Sequence, residues 1–152
     1  MTNDTPSTRG FVTLLEAFRT SGGTAPDDIV GGLLADHHAG DAVSLAKLVH
    51  SGQVFGFEWC ASLWIPMFQF NAVDLAIAAA PRVVRAQLPE IWSGWTVAMW
   101  FAMPNARLQG DRPVDCLTSD FAAVLQAAQA SQSAESGVLV PLLRVQELAA
   151  HA

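Results

Sequence analysis

Charge is scarce in this chain. Asp, Glu, Lys and Arg make up 14% of its 152 residues, against about 25% in an average soluble domain. Disorder is excluded, because a disordered chain has few apolar residues and many charges, whereas hydrophobic residues reach 51% here. Bases are scarcer than acids, at eight Lys+Arg against fourteen Asp+Glu, for a net charge of −6. In the front part of the chain Arg9, Arg19 and Lys47 face Asp4, Glu16, Asp27, Asp28, Asp36 and Asp41. A nucleic-acid binder carries a basic patch, so this acidic front argues against DNA as a partner. The basic stretch is residues 82–112, with Arg82, Arg85, Arg107 and Arg112 against Glu90 and Asp111; these read as scattered solvated arginines.

Long hydrophobic runs are missing as well. Ile91 to Met103 is interrupted by Ser93, Gly94 and Thr96 and falls short of the roughly 20 apolar residues that span a bilayer. Met1 to Gly10 has no apolar signal core, so a cytoplasmic protein is expected. Cys60 and Cys116 are the two cysteines. They lack C-x-x-C spacing and are expected to be buried small hydrophobes. So few charges cover a globule of this composition poorly, and the surplus apolar surface points to a partner, either a second copy or another protein.

The motifs of catalysis are absent: there is no G-x-S-x-G, P-loop, H-E-x-x-H, or G-x-G-x-x-G after a strand. His37-His38 point different ways on an expected loop, with no Cys or carboxylate at ligand spacing. Nothing in the spacing supports a Cys60–His50 nucleophilic pair. No enzyme, metal or cofactor is expected. Glu58 lies between Phe57 and Trp59 and is expected to face solvent, with a partly buried acid meeting an arginine or a partner as the sharper alternative.

Periodicity predicts an α+β protein, mainly helical, with an inserted antiparallel hairpin of two or three strands. Residues 1–9 read as a disordered tail and 10–52 as a helical region. Phe11, Leu14, Leu15 and Phe18 repeat at helical spacing up to Gly22-Gly23. Thr24 is expected to cap a second helix with Pro26 in its first turn, Asp36 to Gly40 to loop, and Asp41 to cap a third helix ending at Ser51-Gly52. Residues 53–79 read as the hairpin, turning near Ala61-Ser62, with Trp64, Phe68 and Phe70 on one face. Pro66 marks an edge or a bulge, and 74–79 is a short third strand or a helical turn, the strand favoured. Residues 80–130 return to helix. Pro81 starts one with Val83, Val84 and Leu88, and Pro89 breaks it. An all-round apolar helix follows, carrying Trp95, Val97, Met99, Trp100 and Phe101, and should be the buried centre. Residues 131–152 read as a linker, Ser131 to Ser136, and an apolar tail, Val138 to Leu148.

Residues 95–117 run Trp-Thr-Val-Ala-Met-Trp-Phe-Ala-Met-Pro-Asn-Ala-Arg-Leu-Gln-Gly-Asp-Arg-Pro-Val-Asp-Cys-Leu. This segment resembles the toxin-binding domain of the Xre/MbcA/ParS antitoxins through Trp100-Phe101, Pro104-Asn105, Leu108, Gly110, Pro113, Asp115 and Leu117, with Cys116 where that family has Leu. Each position also has a local reason. Pro104 ends the helix, Asn105 can bond its own backbone in the turn, Leu108 folds back as a plug, Gly110 permits positive φ, and Asp115 suits the start of a helix begun by Pro113. The resemblance covers residues 82–130 and implies a protein-binding module that holds and neutralises a toxin enzyme, often a RES-type consumer of NAD. It points to Trp100, Asn105, Arg107, Gly110, Arg112 and Asp115 as partner-binding residues. Glu58, Trp59, Trp64 and Phe68 of the hairpin are a second candidate interface, since tryptophan is enriched at interface hot spots. A homodimer is expected. The alternatives are a regulator with a degenerate helix-turn-helix and a small-ligand sensor.

Overall fold

The computed structural model describes residues 5–38 and 44–137. The fold is α+β: among the described residues, seven α-helices surround a small antiparallel sheet of order β1-β3-β2. Helix α1 (Thr8–Phe18) begins inside the expected tail, because the Ser7 side chain accepts the Gly10 N–H and caps it. Leu14, Ala17 and Phe18 are its buried stripe, and Gly22 and Gly23 close the segment at φ 108° and 79°.

The next residues correct the expectation of a capped helix start. Thr24–Pro26 is strand β1, with Ala25 opposite Ile65. Its position at a sheet edge tolerates a proline, which has no N–H to give a ladder. Helix α2 (Asp27–His38) starts after it and runs through Asp36 and His37, where a loop was expected. Asp41 and Val43 lie outside the described residues. Ser44 caps α3 (Leu45–His50) by accepting the Lys47 N–H, and the chain leaves through Ser51 and Gly52 as the spacing predicts.

Strands β2 (Phe57–Trp59) and β3 (Ser62–Pro66) form the hairpin. The turn residues Cys60 and Ala61 have φ 51° and 63°, the left-handed pair of a type I′ turn that Asn-Gly fills best. Left-handed backbone costs a residue with a side chain roughly 1–2 kcal/mol. The double substitution Cys60→Asn, Ala61→Gly is therefore expected to stabilise the fold by about 1–2 kcal/mol, read as a higher midpoint in thermal unfolding. An unchanged or lower midpoint would contradict the turn geometry.

Three further readings of this region are corrected. Pro66 does not mark an edge strand: β3 is the central strand and Pro66 its last residue. The strand stops there because Met67–Gln69 coil into a 3-10 turn, which takes Phe68 off the face of Trp64. The third strand is β1 and not 74–79. There Phe70 and Ile77 form a single bridge around a loop, and Asn71 accepts the Val73 N–H.

The sheet separates two cores. Phe57, Trp59 and Trp64 alternate onto the face covered by α1 and α5, in a cluster with Leu14, Phe18, Trp95 and Phe101. Ile65 and Leu63 turn to the other face, with Val30 and Leu34 of α2 and Leu45 and Leu48 of α3. The fully buried ones among them, Leu14, Phe18, Phe57, Phe101, Val30 and Ile65, contribute about 1.5–3 kcal/mol each. Gln69 joins the segment before β2 to the end of β3. Its amide accepts from Phe55 N at 2.8 Å and donates to Phe55 O at 2.8 Å and Pro66 O at 3.0 Å.

Helix α4 (Ala79–Ala86) starts before Pro81, which is buried within its first turn. Val84 and Leu88 are fully buried, but Val83 points outward. Helix α5 (Gly94–Ala102) is capped by Ser93, whose hydroxyl accepts the Thr96 N–H. Trp95, Val97, Ala98, Phe101 and Ala102 are all buried, so this helix is the centre of the larger core. Helix α6 (Pro113–Cys116) begins at its proline. Helix α7 (Phe121–Gly137) is capped by Asp120 through the Ala123 N–H. It runs straight through Ser131 to Ser136, where a linker was expected. The serines are compatible with helix because Ser131 turns its hydroxyl back onto the Ala127 carbonyl at 3.2 Å. The apolar tail Val138 to Leu148 lies outside the described residues.

Candidate functional site

The segment from Met103 to Arg112 joins α5 to α6 and is tied into one rigid loop by Asn105. Helix α5 stops at Met103, whose N–H bonds the Met99 carbonyl. Pro104 follows, and Asn105 takes an extended conformation. Its side chain accepts the Arg107 N–H at 2.9 Å. Its backbone carbonyl accepts from both Leu108 and Gly110, and its own N–H donates to the Asp111 carbonyl at 3.0 Å. Leu108 drops into the core at 7% exposure, so the loop is plugged at its middle. Gly110 takes φ 88°, and Gln109 takes the left-handed conformation at φ 58°. The sequence marked the glycine; nothing marks a glutamine for that conformation.

Arg112 precedes α6, and its Nε donates to Asp115 Oδ2 at 2.8 Å. Both side chains are more than a third exposed, so this pair holds the two groups in place and contributes little to stability. Arg107 differs: it is exposed, and it makes no ion pair among the described residues. A pocket of about 350 Å³ lies beside it, lined by Leu108, Asp111, Cys116, Ser119 and Asp120 among others. The Cys116 thiol is buried, and that burial, with the nearby Asp111, Asp115 and Asp120 carboxylates, pushes it above the ordinary thiol range. It contributes a buried thiol to the wall of the pocket. Trp100 sits one turn before the end of α5, half-buried. Its indole N–H donates to Ser131 Oγ at 2.9 Å and fastens α7 to α5.

The hairpin residues are placed differently. Glu58 is exposed on the edge strand. Trp59 stacks on Phe11, with ring centroids 5.1 Å apart, and Trp64 meets the same ring edge-on at 5.2 Å. Phe68 packs against Phe18, Phe55 and Phe101. These rings join the hairpin to α1 and α5. The loop residues and the hairpin residues are thus two separate groups.

Cys60, expected inside, is exposed at the turn. His37 lies on α2, its Nδ1 3.1 Å from the Leu33 carbonyl. Among the described residues, no group of three or more His, Cys, Asp and Glu side chains is placed to hold a metal ion, and no helix is long and apolar enough to cross a membrane. On α4, the Arg85 Nε is buried with no hydrogen-bond partner among the described residues, and burial lowers the guanidinium below its ordinary range, with Glu90 opposing. No known family model matches the chain, and no significant match to it is found among curated proteins or solved structures.

Proposed function

We propose that the chain is an antitoxin-like protein-binding module that docks through the α5–α6 loop onto a toxin enzyme and neutralises it. The observation that carries this reading is the loop itself: a turn held rigid by Asn105, plugged by Leu108, and presenting an exposed Arg107 that makes no ion pair among the described residues. A rigid loop loses little entropy on binding, and an unpaired exposed arginine is a ready donor to a carboxylate or phosphate. Arg112 and Asp115 are already turned to each other, so they shape the edge of the contact. The resemblance to the Xre/MbcA/ParS antitoxins adds the partner's class, a RES-type enzyme that consumes NAD. The module acts in the cytoplasm as a homodimer, which would cover part of the exposed apolar set that includes Ile29, Val73 and Ile91.

The test is affinity co-purification from the native cell, together with direct titration against the product of the neighbouring gene. The native chain is expected to retain that protein and to sediment at twice 16.2 kDa. Arg107→Glu is expected to weaken binding by about 2–4 kcal/mol, at least tenfold. Its melting temperature should stay unchanged, since the exposed Arg107 side chain makes no ion pair among the described residues and its backbone N–H bond to Asn105 is kept. No retained protein and a monomeric chain would end this reading.

A further inference from the structure

The layer of α2 and α3 lies on the face of the sheet away from α1 and α5. Between these two helices and β3 is a cavity of about 530 Å³ that reaches the surface. Small-molecule sites fall in the range of about 300–1,000 Å³. Leu45, Val49 and Leu63 form apolar walls, and Asp27, Asp28 and His50 stand at the rim. The space persists because of Gly31. A Cβ at that position would meet nothing within 4 Å, and the same holds for Gly32 beside it. A larger side chain there would close the gap between the helices, and glycine inside a helix costs about 0.5–1 kcal/mol relative to alanine.

The rim has a definite charge. Asp28 accepts the Ile29 N–H at 2.9 Å, while Asp27 makes no ion pair among the described residues. Both carboxylates stand at the start of α2, whose dipole supplies about half a positive charge there. Two negative charges outweigh it. The nearby walls, Leu45, Val49 and Leu63, are apolar. An anion would be repelled, and an uncharged ligand would gain nothing from the two carboxylates.

We propose that this cavity binds a small amphipathic amine, with its hydrocarbon part against Leu45, Val49 and Leu63 and its ammonium group at Asp27 and Asp28. The site is independent of the α5–α6 loop and stands whether or not that loop binds a toxin. The test titrates n-hexylamine into the full chain at neutral pH, with hexanoate and hexanol as controls, and follows the leucine and valine methyl resonances. Saturable shifts on Leu45, Val49 and Leu63 are expected with the amine, and hexanoate should produce none. Gly31→Leu fills the cavity and should abolish the shifts. The pair Asp27→Asn, Asp28→Asn keeps the Oδ1 acceptor for the Ile29 N–H and should weaken binding about tenfold. Melting curves verify that both variants fold. Absence of saturation, equal binding of hexanoate or hexanol, or undiminished binding in either variant would overturn the proposal.

Discussion

Gly94→Ala is expected to destabilise the protein by about 4 kcal/mol, at the upper end of what a single methyl group can do. The first residue of α5 rests directly on the backbone before β2. A Cβ on Gly94 would overlap the carbonyl oxygen of Gly56 and stand 3.4 Å from the Phe57 Cα. These are backbone atoms, so no rotamer change relieves the overlap. Gly56 cannot retreat either, because a Cβ there would lie 2.7 Å from Ile65 Cδ1 and 3.0 Å from Leu63 Cδ1. Relief requires α5 to slide off β2, which separates Trp95 from Phe57 and Trp59, now at ring distances of 5.8 and 6.0 Å. The expected fall in melting temperature is about 10 °C or more. Gly31→Ala and Gly32→Ala are the controls, since both face open space on α2; each should gain up to about 1 kcal/mol of helix propensity. If all three alanine variants melt alike, the close approach of α5 to the hairpin is wrong.

The second large effect is expected at Gln69. Among the described residues it is the polar residue buried in the core, at 4% exposure. Gln69→Leu keeps the volume and removes three hydrogen bonds, leaving the Phe55 N–H, the Phe55 carbonyl and the Pro66 carbonyl to find other partners. A buried backbone group left unpaired costs about 1–3 kcal/mol, so a total loss of about 3 kcal/mol is expected, partly offset by leucine's own burial. Chemical denaturation should show a lower midpoint. Amide exchange at Phe55 should accelerate more than at Val97, in the middle of α5. A variant as stable as the native chain would mean that Gln69 only fills space.

Part of this architecture was legible in the sequence. The all-round apolar helix, Gly110 and the Leu108 plug each follow from a short-range rule, and the structure has them. The α5–α6 loop was legible for the same reason: Pro104, Asn105 and Gly110 act within a few residues of themselves. Two of the errors share a cause, which is that the deciding interaction lay far along the chain. Thr24-Ala25-Pro26 has the composition of a helix start, and becomes a strand because β3, some forty residues later, offers a ladder. Ser131 to Ser136 has the composition of a linker, and stays helical where Ala127, Ala128 and Trp100 hold it to the core. The cavity beside Gly31 could not be read locally, since helical glycine marks no cavity until the neighbouring helix is placed.

The three-stranded sheet has a bearing on how one molecule of so apolar a chain meets the next. Exposed strand edges template the pairing of one molecule with the next, and short strands, prolines and charges blunt them. One edge here is β1, three residues long and ending in Pro26; the other is β2, equally short, with the exposed Glu58 at its middle. A second molecule adding to β1 would meet a residue with no N–H, and one adding to β2 would bring its own Glu58 near an identical charge. Glu58 needs no ligand to account for its place between two aromatic rings, because there it discourages fibre growth from the most hydrophobic hairpin in the chain.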